Sequence, residues 1–300
     1  MVAAGFSGTH VAIVTPMRAG GEVDREAWTR LIDFHLANGT DGIVVGGTTG
    51  ESPTVSDEEL RDLVLRAQER AAGRVKIVAG AGTNSTASTV AKVREMSTLG
   101  VDGVLLVTPA YNRPTQEGLY RHYEAAAEAS SVPVVLYNVP SRTACDMLPE
   151  TVGRLATLPR IVAIKEAVAS MDRIRALRAA CPAAFEILSG DDASVREAMQ
   201  HGCSGVISVT ANVAPRLMSD MIRAAGRGDH AEAARIDVKL AGLHAKLFVE
   251  ANPIPVKWAL ARMGLMEGAL RLPLTELSAR YHGVVEAALR QAEIPLSAAP

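Results

Sequence analysis

The stretch IVAIKEA (161–167) shows the pattern from which the fold is predicted: a short, continuous apolar run that ends in a lysine and a glutamate. Seven further runs of this kind occur along the chain: VAIVTP (11–16), GIVVGG (42–47), KIVAGAG (76–82), GVLLVTP (103–109), VPVVLYN (132–138), FEILSGD (185–191) and GVISVTA (205–211). Continuous rather than alternating apolar character is typical of a strand buried on both faces, as in a parallel sheet. The runs therefore predict eight parallel strands.

Helical patterns separate these runs and indicate how the strands connect. Examples are DREAWTRLIDFHLANG (24–39), SDEELRDLVLRAQERAAG (56–73) and DASVREAMQHG (192–202), and several of the helical patterns open on an acidic or serine cap and close on glycine. Eight regular strand–helix units without a linker favour one α/β unit, a (β/α)8 TIM barrel over residues 1–227. A doubly wound open sheet is the alternative, but the regularity of the units favours a closed barrel.

The remainder of the chain, residues 228–300, shows helical spacing only. The three helical patterns there cover residues 229–250, 255–264 and 273–292. We therefore expect a helical C-terminal extension that packs on the barrel or on a neighbouring subunit.

Composition and charge exclude several classes of partner. The formal net charge of the 300 residues is −2 and no basic stripe is present, so nucleic acid is not an expected partner. No run approaches the roughly 20 apolar residues of a membrane helix, and MVAAGFSGTH at the N-terminus does not resemble a signal peptide. The three cysteines are scattered and odd in number, which favours a reduced, cytoplasmic location.

Metal and nucleotide sites are also not expected. The seven histidines are dispersed, without an HxxxH or HxH pair. GGTTGES (46–52) has no lysine after its glycines and is not a P-loop, and GAGTNS (80–85) lacks the third glycine of a dinucleotide-binding fingerprint.

Lys165 is the residue with the clearest chemical potential, because barrel enzymes carry their chemistry at the C-terminal ends of the strands. Desolvation in the barrel mouth disfavours a charged amine, and a nearby cation such as Arg142 would disfavour it further. A neutral amine can attack a ketone and form an imine. The alternative is a structural lysine that snorkels or pairs with Glu166, although adjacent strand residues point to opposite faces.

Four further residues at the predicted strand ends have two interpretations each. Thr48 and Thr49 lie in GTTGE, which is rich in turn formers, yet its amides and hydroxyls would also seat a carboxylate. Tyr137 is either a packing aromatic or a general acid and base that reaches the lysine of the adjacent strand. Arg142, expected in a loop, is either solvated or binds a substrate carboxylate with its forked guanidinium.

The segments GTTGES, TPAYNRPTQEG, YNVPSRT, IKEA, SGDD and GVISVTANVAP, in this order, resemble the dihydrodipicolinate synthase family of the pyruvate-dependent class I aldolases and lyases. The resemblance extends from about Gly8 into FVEANPIPVKWAL (248–260). It implies a lyase that condenses pyruvate with L-aspartate 4-semialdehyde to 4-hydroxy-tetrahydrodipicolinate, the first committed step of lysine and diaminopimelate biosynthesis. GTTGE and the strand lysine are shared across the superfamily, whereas YNVPSRT and SGDD are more specific.

The resemblance also implies the catalytic residues. Lys165 matches the lysine that forms the imine with pyruvate, and Tyr137 matches the tyrosine that shuttles protons to and from that adduct. Thr48 matches a relay hydroxyl. Tyr111 matches the tyrosine that the family lends across a dimer interface to complete the relay. A homo-oligomer is therefore expected, and the resemblance implies a homotetramer of two tight dimers.

Four residues match the family's substrate contacts. Thr49 matches a contact to the pyruvate carboxylate, and Arg142 matches the residue that holds the carboxylate of the second substrate. Gly190 and Ile207 match positions that contribute backbone near the adduct. The resemblance implies no metal and no cofactor beyond the covalent Schiff base through the lysine.

Two competing functions remain at this point. Another aldolase of the superfamily, such as an N-acetylneuraminate lyase or a 2-keto-3-deoxy sugar-acid aldolase, would keep Lys165 and Tyr137 but take a longer polyhydroxylated substrate. The SRT arginine, Arg142, favours the synthase, since the sialic-acid lyase branch does not usually carry it. A more distant alternative is a non-catalytic barrel that binds a keto acid, but a binding protein does not need an imine-forming amine.

One departure from the family concerns regulation. Lysine-inhibited members carry histidines in the stretch that matches Asp57 and Leu60, and a glutamate where Ser88 stands. Without these polar partners, a lysine ligand would lose contacts to its ammonium and carboxylate. We therefore expect weak or absent feedback inhibition by lysine, although Asn84 remains.

Overall fold

The computed structural model describes residues 5–297, and in it eight parallel strands follow one another in sequence order around a closed barrel. The strands are Gly8–Ala12 (β1), Gly42–Val45 (β2), Lys76–Gly80 (β3), Gly103–Val107 (β4), Val134–Asn138 (β5), Ile161–Glu166 (β6), Glu186–Ser189 (β7) and Gly205–Ser208 (β8). The barrel closes because β1 pairs with both β2 and β8. The predicted (β/α)8 TIM barrel is therefore confirmed, and the open sheet is wrong.

The first strand lies earlier in the chain than its apolar run predicted. It begins at Gly8, and residues 13–16 of the run lie beyond its end. Thr9 and His10 obscured the strand because they are polar, yet both are buried in it. Burial lowers the pKa of His10 to about 4, so the ring is neutral near pH 7 and tolerates the interior.

Helices fill the connections and continue after the last strand. They are Arg25–Ala37 (α1), Asp57–Ala71 (α2), Thr86–Ser97 (α3), Gln116–Ala129 (α4), Pro140–Thr143 (α5), Pro149–Leu155 (α6), Met171–Ala180 (α7), Val195–Gln200 (α8), Pro215–Gly226 (α9), His230–Lys246 (α10), Ile254–Arg262 (α11) and His282–Gln291 (α12), with 3-10 turns at Thr210–Asn212 and Ala279–Tyr281. Local sequence explains several starts: Ser56 and Glu59, for example, form a reciprocal capping box on α2.

The last predicted helix, over residues 273–292, is wrong in its first part. Helix α12 begins at residue 282, and residues 275–278 have no regular structure. The backbone amide and the hydroxyl of Ser278 both donate to the carboxylate of Glu250, at 3.2 and 2.5 Å. This tertiary contact holds extended backbone where the side-chain spacing alone favours a helix.

The C-terminal helices pack on the chain's own barrel. Helix α10 lies against α8 and α9, α12 lies against α10 and α11, and α11 contacts the turn at Thr210–Asn212. The division into a barrel of residues 1–227 and an extension of residues 228–300 stays a prediction, and residues 1–4 and 298–300 lie outside the described residues. Across residues 5–297, no helix is both long and apolar enough to cross a membrane.

Two apolar cores result from the alternation of side chains along the strands. One fills the layer between the barrel and the helices, and the other fills the barrel interior. Val135, Tyr137 and Ala163 belong to the interior core. Because successive residues of a strand point to opposite faces, Lys165 follows Ala163 into the interior, at the C-terminal end of β6.

Candidate active site

Lys165 is buried at the mouth of the barrel without an acidic partner. Its side chain is 5% exposed, and its strand register places it beside Tyr137 on β5 and Leu188 on β7. The Lys165 Nζ atom lies 4.3 Å from the centroid of the Tyr137 ring. No carboxylate of residues 5–297 forms an ion pair with this amine.

Glu166 points away from the amine and uses its carboxylate elsewhere. Each carboxylate oxygen accepts a hydrogen bond from Asn138 Nδ2 at 3.1 Å, and one also accepts from the amide of Val168 at 2.9 Å. Burial raises the pKa of Glu166 to about 7, although these hydrogen bonds and Arg173 oppose the shift. The interpretation of Lys165 as the ion-pair partner of Glu166 is therefore wrong.

A polar network outside the barrel wall ties the ends of β5 and β6 together. Asn138 and Glu166 are register partners, one residue beyond Tyr137 and Lys165. Asn138 also donates to Asp146 Oδ1 at 2.9 Å, and Asp146 accepts from Arg173 at 2.5 Å. Sequence reasoning missed this network. The sequence does contain a signal for the network, because a polar residue directly follows each proposed catalytic residue: Asn138 follows Tyr137, and Glu166 follows Lys165.

The GTTGES loop lies beside Tyr137. Thr48 and Tyr137 line the same small cavity, which has a volume of about 30 Å³. Thr49 is buried, and the backbone amides of Thr48 and Thr49 donate no hydrogen bond to any residue in 5–297. Free amides beside a buried hydroxyl are suited to binding a carboxylate.

Arg142 lies in the one-turn helix α5 rather than in the expected loop. Its guanidinium donates to the backbone carbonyl of Asn252 at 3.4 Å, and no carboxylate of residues 5–297 pairs with it. Asn252 in turn donates through Nδ2 to the hydroxyl of Thr49 at 2.9 Å. One residue of the C-terminal segment thus connects the two predicted carboxylate contacts. Sequence reasoning noted the stretch FVEANPIPVKWAL but did not single out this asparagine.

A buried ion pair joins the GTTGES loop to α11. Lys257 of α11 donates to Glu51 at 2.5 Å, and both side chains are almost fully buried. Burial lowers the pKa of Lys257, and the Glu51 carboxylate opposes this shift. The second oxygen of Glu51 accepts from the amide of Arg271 at 3.2 Å. Sequence reasoning missed this pair because its members are about 200 residues apart.

Tyr111 differs from the other predicted catalytic residues in its exposure. Its side chain is 90% exposed, and its φ of 76° is in the left-handed region, which is uncommon for a residue other than glycine. Its hydroxyl forms no hydrogen bond with any described residue, and none joins the hydroxyls of Thr48 and Tyr137. Within one chain, the three hydroxyls do not form a continuous hydrogen-bonded relay.

Gly190 and Ile207 both lie close to the reactive end of the barrel. A Cβ atom at Gly190 would lie 3.0 Å from Lys165 Cε and 2.9 Å from Ala167 Cβ, so only glycine leaves room for the lysine stem. Ile207 of β8 packs in the interior core that contains Tyr137. All eight predicted site residues therefore lie at the C-terminal ends of the strands or in the segments that follow them, and Tyr111 differs by its high exposure.

Comparisons with known proteins agree with this geometry. Residues 5–292 match the model of the dihydrodipicolinate synthetase family. The 4-hydroxy-tetrahydrodipicolinate synthase of Methylococcus capsulatus is 53% identical over 289 residues, covering 96% of this chain and 99% of the relative. That of Alkalilimnicola ehrlichii is 50% identical, covering 96% of this chain and 99% of the relative.

Solved structures lead to the same family. A dihydrodipicolinate synthase of Acinetobacter baumannii, solved in complex with pyruvate, has a TM-score of 0.95 and 46% identity and covers 96% of this chain and 99% of its own. These relatives are named as synthases, which does not favour the sugar-acid aldolase alternative. The chain belongs to the dihydrodipicolinate synthetase family.

Proposed function

We infer that the chain is a lyase that condenses pyruvate with L-aspartate 4-semialdehyde to 4-hydroxy-tetrahydrodipicolinate. The observation that carries this inference is the buried amine of Lys165, which has no acidic partner among residues 5–297 and lies 4.3 Å from the Tyr137 ring centroid. The full-length similarity to synthases of the same name supports the choice of substrates.

The first step uses the unpaired amine. Lys165 Nζ attacks the ketone carbon of pyruvate, water leaves, and a carbon–nitrogen double bond forms. The unprotonated amine is the nucleophilic form, and no carboxylate of residues 5–297 holds Lys165 in a salt bridge. The imine then withdraws electrons from the methyl carbon, so loss of a methyl proton gives an enamine.

Two carboxylate contacts orient the substrates. The free amides of Thr48 and Thr49 and the Thr49 hydroxyl are suited to the pyruvate carboxylate. Arg142, without a carboxylate partner among residues 5–297, is suited to the carboxylate of the second substrate. Gly190 and Ile207 contribute close-packed walls beside the adduct.

Carbon–carbon bond formation and ring closure follow. The enamine carbon attacks the aldehyde carbon of the semialdehyde, and the aldehyde oxygen takes up a proton to become the 4-hydroxyl. The α-amine of the second substrate then attacks the imine carbon and displaces Lys165, which closes the ring and frees the enzyme. The Tyr137 ring lies beside the amine, and Tyr137 is the proposed proton carrier.

The proposed relay includes Tyr111 of a second copy of the chain. The 90% exposure of Tyr111 and the absence of a hydrogen bond from its hydroxyl to any described residue support this role. Thr48 would connect the two tyrosines. We therefore propose that the chain acts as a homo-oligomer, a tetramer of two dimers, and that it needs no cofactor beyond the Schiff base.

Borohydride trapping tests the proposal. The chain is incubated with pyruvate, reduced with borohydride and digested, and the peptides that contain Lys165 and Lys257 are compared by mass spectrometry. We expect the mass of a reduced pyruvate adduct on Lys165 alone. A parallel assay compares aspartate semialdehyde condensation with cleavage of N-acetylneuraminate. A chain without the adduct, or with the adduct and only sugar-acid cleavage, would contradict the proposed function.

A further inference from the structure

Asn252 occupies an unusual position between the two proposed carboxylate contacts. It belongs to the segment that precedes α11, far in sequence from the strands that carry Lys165 and Tyr137. Its Nδ2 donates to Thr49 Oγ1 at 2.9 Å, and its backbone carbonyl accepts from Arg142 at 3.4 Å. One residue thus contacts the groups assigned to each of the two substrates.

The second polar atom of this side chain, Oδ1, is left without a partner in the described part of the chain. Asn252 is 6% exposed, and its Oδ1 forms no hydrogen bond with any residue in 5–297. A buried amide oxygen without a donor is destabilising, and most buried polar atoms in folded proteins are paired. A buried acceptor between two substrate-binding groups is therefore suited to a donor that the substrate brings.

The second substrate carries such a donor. Its α-amino group is bonded to the same carbon as the carboxylate that Arg142 is proposed to hold. Because Arg142 already contacts the Asn252 carbonyl, a carboxylate on its remaining N–H groups brings the amino group toward Asn252. The same side chain contacts Thr49, where the pyruvate carboxylate is proposed to bind.

We propose that Asn252 is a specificity residue that accepts a hydrogen bond from the α-amino group of the semialdehyde through Oδ1. Its amide nitrogen orients Thr49 at the same time, so the amine that closes the ring is held beside the carbon it attacks. This inference rests on the proposed function, since it assumes that the second substrate is an α-amino aldehyde.

The surrounding structure keeps Asn252 in place. Five residues further on, Lys257 is paired with Glu51, which lies two residues after Thr49. The GTTGES loop and the segment before α11 are therefore joined twice, once by the buried ion pair and once by the Asn252–Thr49 hydrogen bond. An Asn252 variant retains the ion pair, and its fold is expected to persist.

The test compares aspartate semialdehyde with succinic semialdehyde, which has the same carbon chain and carboxylate but no amino group. Rapid-quench mass spectrometry of the Lys165 peptide measures kcat/KM for carbon–carbon bond formation with each aldehyde. We expect Asn252→Ala to lower this value about 10- to 100-fold for aspartate semialdehyde, which corresponds to the loss of one hydrogen bond to a charged group. For succinic semialdehyde we expect kcat/KM to change by less than about threefold. This aldehyde has no amino group, so only the loss of the hydrogen bond from Asn252 to Thr49 affects it.

Two further variants separate binding from folding. Asn252→Asp keeps an oxygen acceptor but loses the N–H donor to Thr49, so it should retain the preference for the amino substrate while the KM for pyruvate rises. Asn38→Ala is the matched control, because Asn38 Nδ2 donates one hydrogen bond to Phe34 O at 2.8 Å at the end of α1. This control should leave both aldehydes unaffected.

The outcomes are distinct. A wild-type chain that forms the pyruvate adduct but does not react with aspartate semialdehyde would overturn the proposed function. A wild-type chain that reacts, with an Asn252→Ala variant that loses the same factor for both aldehydes, would overturn only the role of Asn252. If the alanine variant does not fold, the Asn252→Asp variant provides the test. A loss of its preference for aspartate semialdehyde over succinic semialdehyde would also contradict the proposal.

Discussion

Among residues 5–297, two lysines are buried, and they differ in whether a carboxylate pairs with the amine. Lys257 on α11 is fully buried and donates to Glu51 at 2.5 Å. Lys165 on β6 is 5% exposed and has no ion-pair partner among residues 5–297. Both are as inaccessible as core residues, but only one has its charge compensated.

The difference separates a structural lysine from a reactive one. Removing an ammonium from water is costly, and a carboxylate at short distance offsets part of that cost. Lys257 receives this compensation and joins α11 to the GTTGES loop. Lys165 lies beside the Tyr137 ring and pairs with no carboxylate of residues 5–297, so its amine is not held in a salt bridge and can react with a ketone.

The strongest test of this comparison is Lys165→Met. Methionine fills a similar volume but cannot form an imine, so we expect no pyruvate adduct and a loss of condensation activity of at least about 10⁴-fold. The melting temperature should stay the same or rise, because no ion pair is broken. Activity assays and thermal unfolding measure the two effects. Retained activity would show that the reactive amine lies elsewhere.

Lys257→Met should have the opposite result. It leaves the Glu51 carboxylate buried without its cation, which is expected to lower the free energy of unfolding by about 3–5 kcal/mol. Urea denaturation measures this loss, and the folded fraction should still trap pyruvate on Lys165. The double variant Lys257→Met/Glu51→Gln should recover part of the stability. A single variant as stable as the wild type would contradict the structural role.

The carboxylate next to the reactive lysine gives a pH-dependent prediction. The pKa of Glu166 is about 7 in the folded chain against 4.5 in its ordinary state. A raised carboxyl pKa means that the stability contributed by the protonated group is present below pH 4.5 and is lost as pH rises toward 7. Relative to Glu166→Gln, the free energy of unfolding of the wild type should fall by about 3 kcal/mol as the pH rises from below 4.5 to above 7.

Urea unfolding of both proteins at pH 5 and pH 8 checks this difference. The variant provides the control, since a neutral amide does not titrate. If the two proteins differ by the same free energy at both pH values, Glu166 is ionised throughout and the assignment is wrong.

The smallest effect is expected from free lysine. Asp57 at the start of α2 is paired with Lys92 at 2.7 Å, and Leu60 is buried in the core rather than facing a ligand. Leu60 offers no polar side chain to a bound lysine, and the Asp57 carboxylate is already paired with Lys92. Steady-state assays with added lysine should show no inhibition at micromolar concentration. Strong inhibition in that range would refute the prediction.

Much of the site was predictable from local pattern. Side chains alternate in direction along a strand, so the stretch IVAIKEA predicts that Lys165 and Glu166 face opposite sides, and the structure agrees. Where the pattern failed, distant contacts were responsible. Buried Thr9 and His10 obscured the start of β1, and Glu250 holds the segment at Ser278 in an extended conformation. Arg142 was expected in a loop, but it lies in a one-turn helix that begins at Pro140, and proline is suited to the first turn of a helix.

The sequence by itself determined the eight strand–helix units, the position of Lys165 at a strand end and the family, because periodicity and short motifs are local properties. Only the tertiary structure decided which charges meet. It pairs Lys257 with Glu51, leaves Lys165 without a carboxylate partner in the described part of the chain, and brings Asn252 between Thr49 and Arg142. These relations depend on barrel closure and on the packing of the C-terminal helices, which join residues that are up to about 200 positions apart in the chain.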